Sequence, residues 1–148
     1  MATLQTIKAR LLQLKGREEE MAAEAINLSH TAAEDMVASQ LAQGLKKDGT
    51  MSNFVYSPFT VEAKKEMSGL AAITSHLTNY DTGESYRKLY MKVSGEKVIF
   101  GTRTDKEADI SKRMNSKAFG LAPENKEEFI RQHAQGQFNR LVRELIKL

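Results

Sequence analysis

The chain has 148 residues, with 22 Lys and Arg against 19 Asp and Glu for a formal net charge of +3, 41% apolar and 28% charged side chains, and no Cys. That length suits one domain able to bury a core unaided, and the composition excludes a disordered chain, a disulfide framework, a thiolate metal centre and a cysteine nucleophile. The most apolar short run, Gly69 to Ile73, is far below the roughly 18 residues of a membrane span, and the segment from Met1 to Gly16 lacks the apolar stretch of a signal peptide, so neither secretion nor membrane spanning is expected.

Leu4, Ile7, Leu11 and Leu14 recur at spacings of three and four and predict an amphipathic helix from about Thr3 to Lys15, interrupted by Gly16. From Arg17 to about Lys46 no Pro occurs, and no Gly before Gly44, which predicts a second, longer helix. Its stripe of Ala22, Ile26, Ser29, Ala33, Met36 and Gln40, flanked by Ala25, Val37 and Leu41, is rich in small residues and buries little area per turn. Such a helix leans on another element, either in its own core or in a neighbouring subunit. Between Lys46 and Pro58, turn signals enclose Phe54, Val55 and Tyr56 in a loop or short strand. Thr60 then suits the cap of a helix from Val61 to Met67, ended by Gly69.

From Tyr86, the residues Arg87, Leu89, Met91 and Val93 alternate with Tyr86, Lys88, Tyr90 and Lys92, as in a half-buried strand. A turn at Ser94-Gly95-Glu96 and a second strand from Lys97 to Gly101 complete a predicted hairpin over about 86–101. Lys106 to Met114 reads as a short polar helix, and Asn115 to Leu121 as a loop carrying the buried-type residues Phe119 and Leu121. Pro123 sits at a first helical position, with Glu124, Glu127 and Glu128 following where the helix dipole favours acids. Phe129, Ile130, Ala134, Phe138, Leu141, Val142, Leu145 and Ile146 hold one face to the end, with Arg140, Arg143 and Lys147 in the last turns. The expected fold class is α+β in a single domain over 1–148. Long N-terminal helices (1–47) pack on a small antiparallel sheet body (48–121), and a C-terminal helix (122–148) follows.

No catalytic constellation emerges. His30, His76 and His133 are far apart and lack metal-ligand spacing, and Asp105, Glu107 and Asp109 lack the glycine and terminal glutamate of a calcium loop. Phosphate-cradling glycine loops and the GxSxG elbow are absent. The expectation is a chain with no catalytic, metal or cofactor site, not an enzyme. Residues 106–148 carry nine basic and six acidic side chains, yet the charges interleave throughout. A dense phosphate-neutralising patch is missing, so a small basic nucleic-acid-binding or regulatory protein stands as the alternative.

A series of short signatures runs along about two thirds of the chain: Gln40-Leu41 with Gly44; Tyr56-Ser57-Pro58 with Thr60 and Lys64; Tyr80-Asp81-Thr82-Gly83 with Tyr86; the strand from Val98 to Gly101; Asp105-Lys106; and Phe119-Gly120-Leu121 before a terminal helix. Their order resembles small virion proteins of tailed bacteriophages of Bacteroidetes-type hosts, and is similar to the head-tail joining or tail-completion (neck) family. The sequence departs from that pattern at Thr78-Asn79-Tyr80, where a small hydrophobic start is usual. The resemblance implies a non-enzymatic connector subunit in a six-fold or twelve-fold ring, with portal, adaptor or tail proteins as partners and no membrane. It implies a place in the virion neck or tail, and in the host cytoplasm during assembly. A ring needs surfaces that close on themselves. Candidates are Ala22, Ala25, Ile26, Ala33, Met36, Val37 and Leu41 on the long helix, with Tyr86 and Tyr90 on the hairpin. Lys88 and Lys92 are candidates for transient contact with packaged DNA, or else form an exposed strand face that resists edge aggregation.

Overall fold

The computed structural model describes residues 3–146; Lys147 of the predicted last turn lies outside them. Helix α1 (Leu4–Lys15) begins at Thr3, whose hydroxyl accepts from the Thr6 N–H at 3.2 Å, and stops at Gly16. The predicted long helix is two: α2 (Glu18–Leu28) and α3 (His30–Gln43). The break falls at buried Ser29, whose hydroxyl donates to the Ala25 carbonyl at 2.9 Å. A serine bonding back to residue i−4 competes with the helical ladder and bends it. Helix α3 ends at Gly44, where φ is +72° and an added Cβ would stand 2.9 Å from the Leu77 carbonyl oxygen. Only glycine fits there without strain.

The body expected as loop and sheet holds more helix than strand, joined by long irregular stretches. Ser57, not Thr60, caps α4 (Pro58–Lys64), accepting from the Thr60 N–H at 3.2 Å, with Pro58 in the first turn. A 3₁₀ turn follows at Gly69–Ala72, and Glu84–Arg87 forms the single turn α5, so Tyr86 lies on a helix rather than on the hairpin. Strands β1 (Leu89–Ser94) and β2 (Lys97–Thr102) pair antiparallel, Leu89 opposite Thr102 and Ser94 opposite Lys97. Next come α6 (Glu107–Arg113), then α7 (Pro123–Phe129), which continues through a π turn at Ile130–Ala134 into α8 (Gln135–Ile146).

The α+β expectation is therefore overturned. The protein is mostly helical, with helices along its whole length and one two-stranded hairpin. The alternation of apolar and polar residues correctly marked the strands, but two strands alone make no layer on which helices can rest. The hairpin instead leans on the helices. Its outer edge is closed by side chains, Glu34 accepting from the Met91 N–H at 3.2 Å and Asn27 from the Val93 N–H at 3.0 Å. Helix α3 is the centre of the core: Ala33, Val37 and Leu41 pack with Leu77, with Leu89 and Met91 of β1, with Ile110, Met114 and Leu121, and with Phe129 and Ala134. Small residues on α3 let these neighbours come close, and each fully buried aliphatic contributes about 1.5–3 kcal/mol.

Candidate functional site

Of the residues singled out in the sequence, some line two surface depressions, some lie in the core and the rest stand apart from both. Ala33, Val37 and Leu41 are fully buried within the chain itself, and Met36 is half-buried against them. These four are taken up by internal packing. Ala22, Ala25 and Ile26 of α2 instead floor an apolar groove of about 330 Å³ against Ile130, Ala134, Gln135 and Phe138.

The π turn shapes that groove. The Gln135 N–H reaches back five residues to the Ile130 carbonyl, which brings Phe129 and Ala134, both buried, to one side. Regular α spacing would lay Ile130 over Ala134 and inside; the wider turn leaves it 50% exposed at the lip. This corrects the expectation that Ile130 belongs to the inward face.

The second depression, a cleft of about 310 Å³, gathers the motif residues Tyr56, Thr60, Lys64, Tyr80, Asp81 and Lys106 from three separate segments. Its most buried charged side chain is Lys64, only 6% exposed. The ammonium donates to the Ala71 carbonyl at 2.8 Å and sits 4.5 Å from the centre of the Tyr56 ring. The Tyr56 hydroxyl accepts from the Thr78 N–H at 3.1 Å, and the Tyr86 hydroxyl donates to the Thr78 carbonyl. Tyr80 meets Tyr86 edge-on at 5.2 Å, as Phe54 meets Tyr56 at 5.5 Å. Burial, and secondarily the phenols of Tyr56 and Tyr80, push the Tyr86 hydroxyl well above the usual phenol range. Gly83, at φ +83°, gives Tyr80 its room, since a Cβ there would stand 2.6 Å from the Tyr80 hydroxyl.

Asn79 follows Thr78 in the left-handed region at φ +53°, is buried, and has neither amide atom hydrogen-bonded among the described residues. On the rim, Lys106 pairs with Asp81 at 2.8 Å, and the hydrogen bond to that carboxylate raises the lysine further above its ordinary value. The sequence singled out Lys64 only as a motif residue and gave Asn79 no role. A lysine on a short helix reads as solvated, and nothing in its neighbours signals burial.

The remaining motif residues lie elsewhere. Thr82 is exposed, and its carbonyl accepts from Arg87 at 3.2 Å. Phe119, Gly120 and Leu121 belong to a separate clamp, in which the buried Gln40 side chain donates to the Gly120 carbonyl at 2.8 Å and accepts from the Ala122 N–H at 2.9 Å and the Asn125 amide at 2.7 Å. Lys88 is ion-paired with Glu84 at 2.7 Å. Lys92 is exposed beside the Tyr90 ring, over which the Arg103 guanidinium lies at 5.0 Å.

Among the described residues no three His, Asp or Glu side chains gather closely enough to hold a metal ion, and no helix is long and apolar enough to cross a membrane. No family model, no curated protein and no solved structure matches this chain.

Proposed function

We propose that this chain is a non-enzymatic structural protein of a tailed-phage virion, a connector, neck or tail-completion subunit that joins portal to tail as a ring of identical copies. The motif order supports the class. The observation that carries self-assembly is the apolar groove between α2 and the C-terminal helix, because the same chain exposes an apolar element far from it in sequence. Val55 and Phe59 are 83% and 84% exposed, and Met51 and Met67 are exposed near them in the chain. A groove on one copy that takes the Val55–Phe59 arm of the next is a heterologous contact, and repeated with rotation it closes a ring. Buried together, such surfaces contribute by the area they remove from water.

The test is a mixing experiment read by light scattering on a sizing column. The unmodified chain is expected as a closed oligomer of six or twelve copies. Ile130→Asp spoils the groove and Phe59→Asp spoils the arm, so each variant alone is monomeric with unchanged helical circular dichroism. Mixed together, one intact groove meets one intact arm, and the product is a dimer that cannot grow. A monomeric unmodified chain, or variants that still form the large oligomer, overturns the reading. The alternative, a small nucleic-acid-binding protein, draws on the cluster of Lys92 and Arg103 near the Tyr90 ring, which joins an aromatic side chain to two cations suited to phosphate contact. It predicts DNA affinity that falls steeply with salt and is lost in Arg103→Gln.

A further inference from the structure

We propose that the cleft beneath Tyr56 is a binding site for a peptide carboxyl terminus, with Lys64 and Arg113 taking the carboxylate and Asn79 the adjoining peptide amide. The cleft uses none of the groove residues, although Tyr56 belongs to the arm assigned to the ring contact. It begins with Lys64. A buried ammonium is ordinarily matched by an anion, but here its partners are a carbonyl and an aromatic face, and no carboxylate lies within ion-pair distance among the described residues. Arg113, exposed on another wall of the cleft, also has no carboxylate partner among the described residues, whereas Lys106 is occupied by Asp81. Two cations therefore stand unmatched around one cavity.

Asn79 is the second, independent observation. Burying an amide with neither its donor nor its acceptor satisfied is unfavourable, and the left-handed backbone, which asparagine tolerates, fixes where that amide stands. The unpaired amide is satisfied if the side chain turns about χ1 toward an occupant of the cleft and exchanges two hydrogen bonds with a peptide group. The sites are adjacent: Tyr56 holds Lys64 over its ring and the Thr78 N–H at its hydroxyl, and Asn79 is the next residue. A carboxylate one residue away from an amide is the chemistry of a chain end. Charge separates this from phosphate. Lys64, Lys106 and Arg113 share the lining with Asp81 and Asp109, an excess of one positive charge that suits a monoanion. The volume falls at the lower end of the roughly 300–1,000 Å³ typical of ligand sites, and the Phe54–Tyr56 pair offers an aromatic wall to the side chain preceding the terminus.

The experiment is a titration followed by amide NMR, using N-acetyl-phenylalanyl-glycine as probe. Saturable shifts are expected at Thr78, Asn79 and Arg113. Capping the probe as its C-terminal amide should abolish them, and inorganic phosphate should not compete. Lys64→Met is expected to weaken binding at least about tenfold, as loss of a charge-assisted hydrogen bond does; Arg113→Gln, at an exposed position, gives the same direction without touching the core. Absence of saturation overturns the proposal. So does equal binding of the capped probe, equal binding of phosphate, or undiminished affinity in Arg113→Gln.

Discussion

Gln40 is buried with both polar atoms of its amide hydrogen-bonded, and the backbone groups it serves launch the C-terminal helix. Gln40→Leu keeps the volume and strands the Gly120 carbonyl and the Ala122 N–H. At about 1–3 kcal/mol for each buried group left unpaired, the loss is about 3 kcal/mol, read as a lower urea midpoint with an unchanged slope. Tyr86 carries a pH dependence. Its hydroxyl in the folded chain ionises far above the unfolded value of 10.0, so the unfolded state releases its proton first. The stabilisation is complete below pH 10 and drains away as pH rises beyond it. Tyr86→Phe is expected to cost about 1 kcal/mol at neutral pH, from the hydrogen bond to Thr78, and to flatten the alkaline decline in melting temperature.

At the scale of elements, the π turn is a local sacrifice of hydrogen-bond geometry that turns Ile130 outward. Deleting Gln132, an exposed residue within it, lets the ladder close as ordinary α-helix while Phe129 and the α8 face keep their orientations. Thermal stability equal to or above that of the unmodified chain, together with loss of the large oligomer, is the expected pair of results; such turns concentrate where helices serve function.

The elements also show what the sequence reveals and why. Helix ends were readable at Thr3, Gly16 and Pro123, where a local rule acts, though not at Ser57, whose cap the sequence pattern assigns to Thr60, and the two paired strands were readable because alternation is a local pattern. The break at Ser29 was not, since it depends on a buried hydroxyl choosing the Ala25 carbonyl. Turning Tyr86 from strand into helix required the left-handed Gly83 just before it. The cleft was legible only as scattered motif residues. Its chemistry arises from the burial of Lys64 and Asn79, which comes from contacts far apart in the chain.

For the molecule as a whole, cohesion is uneven. Helix α3 is surrounded by the core, whereas α1 has no fully buried residue. Ile7 and Leu14 are half-covered, Leu4 and Leu11 of the predicted apolar face are exposed, and the Arg10 guanidinium ties α1 to the Ile146 carbonyl at 2.7 Å. With Gly16 as its joint, α1 is the part that opens at least cost, a subglobal unit well below the global unfolding free energy. Its amides are expected to exchange with deuterium orders of magnitude faster than those of α3, and brief trypsin treatment to cut first at Lys15 or Arg17 and leave the rest folded. A helix that lifts without disturbing the core can dock on a neighbouring copy in the place it vacates at home. In the ring proposed above, reciprocal exchange of this first helix would bind subunits by continuity of the polypeptide as well as by the fit of their surfaces.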